Sequence, residues 1–130
     1  MRLAVPFERL RQEVPKRTTQ IEITGYPLSF GSTPPVAPLA MVAHVASREL
    51  TSAARWGTEK IFYAVPTVAS GTSGGPVFES SENSADTAIL GMYIGFVSDT
   101  SGAKLSKVIP AHVIRTAIEA MSVKRREQDK

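Results

Sequence analysis

The chain contains no cysteine, so neither a disulfide nor a thiolate zinc site can belong to its chemistry. Histidine is nearly as scarce: His44 and His112 are the only two. They are isolated from each other and from any acidic residue at a ligand spacing, so no metal constellation and no cofactor is expected. No apolar run approaches the roughly 20 residues that span a bilayer, and no membrane partner is expected. The opening stretch, MRLAVPFERLRQEVPKR, carries charges at 8, 9, 11 and 13 and so lacks the uninterrupted apolar core of a signal peptide.

What remains is an ordinary globular composition. At 130 residues, with 42% hydrophobic and 21% charged, the chain is long enough for one well-filled core and too short for two. The net charge of +3 is concentrated at the ends, in Arg9, Arg11, Lys16 and Arg17 and again in Lys124, Arg125 and Arg126. A nucleic-acid groove would spread its cations along one face and interleave aromatics. Here the middle is nearly neutral and the terminal run also holds Glu127 and Asp129, which reads as a solvated tail. Nucleic acid is not an expected partner.

The middle of the chain reads as strands. Gln20 to Ile23 alternates two isoleucines with polar neighbours and stops at Gly25-Tyr26-Pro27. Met41 to Val45, Ile61 to Val68, Pro76 to Phe78, Ala88 to Val97 and Leu105 to Ile109 follow. The ten residues from Ala88 could form a buried helix, but Gly91, Gly95, Tyr93 and Phe96 favour a strand. Turn-forming stretches lie at Gly31 to Pro38, Glu79 to Asp86 and Ser98 to Gly102, where Asp86 and Asp99 suit turn positions. From Pro110 onward the pattern changes. Val113, Ile114, Ala117, Ile118 and Met121 fall on one face at helical spacing, and Pro110 suits a first turn. About six short strands and one C-terminal helix imply a mainly β barrel or sandwich.

The densest chemical signal is Gly71-Thr72-Ser73-Gly74-Gly75-Pro76. Glycines around a serine permit a tight turn that presents the hydroxyl and leaves backbone N–H groups free for an anion. That is what acyl transfer needs, a nucleophile beside an oxyanion hole. The plain alternative is a turn between strands, because Gly, Ser and Pro are the usual turn residues. His44 and His112 likewise read first as a strand histidine and a helix-start histidine. Trp56 reads as packing and Tyr63 and Tyr93 as core or rim aromatics.

The six-residue run resembles the nucleophile segment of trypsin-like serine peptidases. Three further stretches resemble the bacterial high-temperature-requirement type in order: Gly25-Tyr26-Pro27-Leu28, Ile89-Leu90-Gly91-Met92, and the helix-opening Val108-Ile109-Pro110-Ala111. The resemblance implies a single six-stranded antiparallel Greek-key barrel with a C-terminal helix, the second half of a two-barrel peptidase. It divides the chain into a connecting segment at 1–19, the barrel and helix at 20–123, and a charged tail at 124–130. It makes Ser73 the nucleophile, with the N–H groups of Gly71 and Ser73 as oxyanion hole. Thr67 stands at the base of the specificity pocket, and Ile94, Gly95 and Phe96 line it and pair with substrate. With no acid beside Thr67, small or medium apolar side chains are the expected preference.

In that family the catalytic His and Asp belong to the first barrel, and neither His44 nor His112 falls where a base would. Arg2-Leu3-Ala4-Val5 looks like the strand that carries the Asp, with Arg in its place. Three readings follow. The chain is the nucleophile-bearing part of a serine endopeptidase and inactive alone; it is a non-catalytic module that binds peptide by strand addition near Ile94; or it borrows His44 or His112 from a neighbouring subunit. The expected partners are a peptide or protein substrate and a missing N-terminal barrel or another protein chain. The compartment is not specified.

Overall fold

Ile21 and Ile23 are fully buried while Glu22 between them is only half covered, so the first strand sends alternate side chains into a core. That alternation recurs along the chain. The computed structural model describes residues 7–25, 33–35, 37, 39–55, 57–68, 72–80 and 88–128. Its strands are β1 (Gln20–Gly25), β2 (Leu39–Val45), β3 (Leu50–Ala54), β4 (Gly57–Val65), β5 (Pro76–Glu79), β6 (Ile89–Ser98) and β7 (Lys104–Pro110). Among the described residues one α-helix, α1 (Ala111–Gln128), follows them, and a one-turn 3-10 helix at Phe7–Arg9 precedes them.

All strand pairings are antiparallel and run in the order β2-β1-β5-β6-β7-β4-β3. A further pairing, His44 with Val65 and Val45 with Ala64, brings β2 back onto β4. The sheet therefore curls round its own interior. Phe62, Tyr93, Leu90, Val77, Val45 and Val108 fill that space with both isoleucines of β1. Each of the larger chains among them contributes about 1.5–3 kcal/mol by leaving water. Among the described residues the architecture is mainly β, seven antiparallel strands with one C-terminal helix.

One strand was not foreseen. β3, Leu-Thr-Ser-Ala-Ala, pairs among the described residues only with β4 and stands as the outer arm of a hairpin. Its residues are small and its burial partial, so nothing in its composition marks a half-buried strand.

The segment before β1 is packed, not free. Leu10 bridges to Ile89, the Arg11 amide donates to the Ile89 carbonyl at 3.0 Å, and the Arg11 guanidinium meets Glu79 at 2.7 Å. Leu10, Ile89 and Ala111 form a second small core with Phe78 and Ile114, which seats the first turns of α1. Beyond them the helix leaves the body: Ile118, Met121 and Val123 are exposed. It continues to Gln128, so Lys124 and Arg125 ride its last turns instead of following it. Cations there face the negative end of the helix dipole.

Candidate active site

Thr72 to Gly75 form a turn closed by the Gly75 amide, which donates to the Thr72 carbonyl at 2.8 Å. Its third position is Gly74 at φ 88°, the positive value that a type II turn requires. Ser73 therefore occupies the second position of the turn and is exposed. Among the described residues, no hydrogen bond takes up the Ser73 amide or its hydroxyl.

The turn is clamped in place. Gly74 donates to the Tyr93 carbonyl at 2.7 Å, and the Tyr93 amide donates to Gly75 at 2.9 Å. On the other side Gly75 lies against β1, so close that a Cβ there would stand 2.2 Å from the Thr24 carbonyl oxygen. Buried Thr72 fills the space beside Gly25. The glycines of the motif thus serve two ends: one permits the turn and the other lets it seat on the sheet.

Immediately after Tyr93, β6 carries an irregularity. Tyr93 pairs with Val108 and Gly95 with Lys107, leaving Ile94 as the extra residue of a β-bulge. Ile94 and Gly95 are half-buried, and Phe96 is 48% exposed with the Lys104 ammonium 5.0 Å from its ring centroid. That distance suits a cation–π contact. Thr67 is half-buried just beyond the end of β4. It is linked to this region through Ser106 on β7, which pairs with Phe96 and donates its hydroxyl to the Pro66 carbonyl at 3.3 Å. Ser106 is fully buried and was not singled out from the sequence. Its inward-facing position between Lys104 and Val108 was the available signal. The structure therefore seats the Ser73 turn on Tyr93 at the middle of β6, with Ile94, Gly95 and Phe96 following along the same strand and Thr67 next to Pro66, which Ser106 links to Phe96. Gly71, the expected second oxyanion donor, lies outside the described residues, as do Trp56, Asp86, Tyr26 to Leu28 and Arg2 to Val5.

Neither histidine reaches Ser73. His44 pairs with Gln20, at the opposite end of β1 from Thr24 and the serine turn. Four residues of strand separate those ends by roughly 13 Å. Proton transfer needs about 2.6–3.2 Å between heavy atoms, or one water between them. His112, on the first turn of α1, is engaged through Nε2 by the Glu49 carboxylate. Tyr93 is no substitute base, since burial pushes its phenol above the ordinary tyrosine value and keeps it neutral. Among the described residues no group of three or more His, Cys, Asp or Glu side chains is placed to hold a metal ion.

Solved structures with the same fold bear on this arrangement. The MamO protease domain from Magnetospirillum magneticum matches with a TM-score of 0.66 at 17% identity, over 88% of this chain and 54% of that one. Rv3671c from M. tuberculosis H37Rv, in an inactive serine-to-alanine form, matches with a TM-score of 0.65 at 16% identity, over 88% and 52%. The shared feature is the fold. This chain spans about half the length of either structure. No protein-family model and no curated protein matches the sequence.

Proposed function

We propose that this chain is the nucleophile-bearing half of a trypsin-like serine endopeptidase, with Ser73 attacking the scissile carbonyl to form an acyl-enzyme. The observation that carries this reading is the Ser73 turn, held at both flanks by backbone contacts within a fold shared with trypsin-like proteases and leaving its amide and hydroxyl without a hydrogen bond among the described residues. In this reading the Ser73 amide and that of Gly71 receive the oxyanion. Ile94, Gly95 and Phe96 pair with an extended substrate, and Thr67 and Ser106 floor the pocket. Protein or peptide is the substrate class, and residues 20–123 form the working unit. The base and its orienting acid come from a separate first barrel, because without them a triad serine loses several orders of magnitude in rate.

The test is reaction with a fluorophosphonate probe, located by mass spectrometry, on the chain alone and on the longest natural protein that contains it. Labelling of Ser73 much faster in the longer protein than in the chain alone, with peptide hydrolysis abolished by Ser73→Ala, is the expected result. Peptide hydrolysis by the longer protein that survives Ser73→Ala would overturn it.

A second reading is favoured by the placement of His44 and His112 away from Ser73: a non-catalytic module that binds an extended peptide along β6. It expects saturable peptide binding with no labelling of Ser73 in either form.

A further inference from the structure

A groove of ≈1350 Å³ opens where the segment before β1 crosses the connection between β2 and β3. It lies beside His44, and so at the far end of β1 from Ser73. The segment before β1 brings Lys16 and Arg17 to the lining, and the β2–β3 connection brings Arg48. Among the described residues the only acid in the lining, Glu49, is already taken by His112. None of the three cations has an ion pair among the described residues. A cluster of like charges around one concavity is costly unless something of opposite sign answers it.

The wall is also rigid. Thr18 adopts φ 71°, a sparsely populated conformation for a β-branched residue, and hydrogen bonds on both sides hold it there. Its amide donates to the Val45 carbonyl at 2.7 Å, and the Thr19 amide donates to the Lys16 carbonyl at 3.1 Å. Lys16 and Arg17 are thereby fixed against β2 and not left on a loose connector. The lining also includes Leu50 and Val65, large apolar side chains that remain exposed.

We propose that this groove binds an extended acidic peptide segment, one in which apolar side chains are flanked by Asp or Glu. The carboxylates answer Lys16, Arg17 and Arg48, and the apolar side chains cover Leu50 and Val65. Single-stranded nucleic acid fits the charge but not the lining, which among the described residues contains no Phe, Tyr or Trp ring and offers only the His44 imidazole for stacking. The site is separate from the Ser73 region and stands whether or not the peptidase reading does.

Fluorescence anisotropy with fluorescein-labelled Asp-Glu-Leu-Val-Glu-Asp tests it. The same peptide with Lys at the charged positions, one with Ser in place of Leu-Val, and an oligothymidylate serve as comparisons. Saturable binding of the acidic peptide that weakens with salt is expected. The Ser-substituted peptide should bind more weakly and the Lys peptide not at all. The triple variant Lys16→Glu, Arg17→Glu, Arg48→Glu should lose roughly tenfold or more in affinity, since like charges then oppose the ligand. Lys60→Glu, on exposed β4 outside the groove, should change little. Circular dichroism checks that the triple variant is folded. If it is not, amide shifts in the unmutated chain decide, with perturbations expected at Ala46, Ser47 and Val65. Absence of saturable binding, equal binding by the folded triple variant, shifts confined to residues outside the groove, or equal binding of the oligothymidylate would each overturn the proposal.

Discussion

Gly75 and Thr24 meet backbone to backbone: a Cβ on Gly75 would lie 2.2 Å from the Thr24 carbonyl oxygen and 2.9 Å from that of Thr72. Neither obstacle is a flexible side chain, so nothing can swing aside. Gly75→Ala must push the serine turn off β1, at a cost of about 1–3 kcal/mol or more. Gly74 has open space around its missing Cβ, and Gly74→Ala pays only for its positive φ, about 1–2 kcal/mol. Urea denaturation should rank Gly75→Ala as the more damaging. Equal midpoints would contradict the close approach.

The motif was legible because its demands are local. A positive φ and a backbone contact within six residues leave a glycine signature that any reading of the sequence finds. Six strands were legible for a related reason, since residues such as Ile21, Ile23, Val108 and Pro110 alternate with the pleat. β3 was not, because Leu50–Ala54 is short, small and pairs on one side only. Ser106 and the basic groove were hidden for a different reason. Ser106 gains its role from Pro66 and Phe96, far away in sequence. Lys16 and Arg17 look like part of a solvated run until Thr18 is tied to Val45. Long-range register, not composition, makes those sites.

Lys107 and Glu59 form an ion pair at 2.9 Å with side chains only 17% and 10% exposed, and among the described residues Glu59 Oε2 is buried without a hydrogen-bond partner. Removing one partner strands a charge in a poorly solvated place. Lys107→Ala should cost about 3–5 kcal/mol, whereas replacing both by apolar residues (Glu59→Leu with Lys107→Met) should cost much less. Denaturant melts of the two variants check this. A double variant as unstable as Lys107→Ala would show that packing, not charge, holds β4 to β7 here.

Asp99 closes the β6–β7 turn. Its carboxylate accepts from the Ser101 hydroxyl at 2.6 Å, the Ser101 amide at 2.9 Å and the Ala103 amide at 3.0 Å. The Ser101 hydroxyl bond is the main reason its pKa lies below the ordinary aspartate value, with the backbone bonds adding to it. A lowered folded-state value means the contribution is present above the unfolded value and fades as pH falls through the folded one. Asp99→Asn should therefore lower the melting temperature at neutral pH and make little difference in strong acid. A gap between the two proteins that widens on acidification would reverse the sign and refute the assignment.

Ser73 and His44 are separated by the length of β1, and His112 is occupied by Glu49. Whatever reactivity Ser73 has in this chain should therefore not depend on either ring. His44→Gln and His112→Gln should leave fluorophosphonate labelling of the folded protein unchanged, at the low level that a serine without a base allows. Because Ser73 is exposed, Ser73→Ala should abolish that labelling while shifting stability by no more than about 0.5 kcal/mol. A histidine variant that extinguished labelling would require the ring to reach Ser73 from another copy of the chain. Concentration dependence of the labelling rate would then identify it, since a base supplied in trans is lost on dilution and one supplied in cis is not.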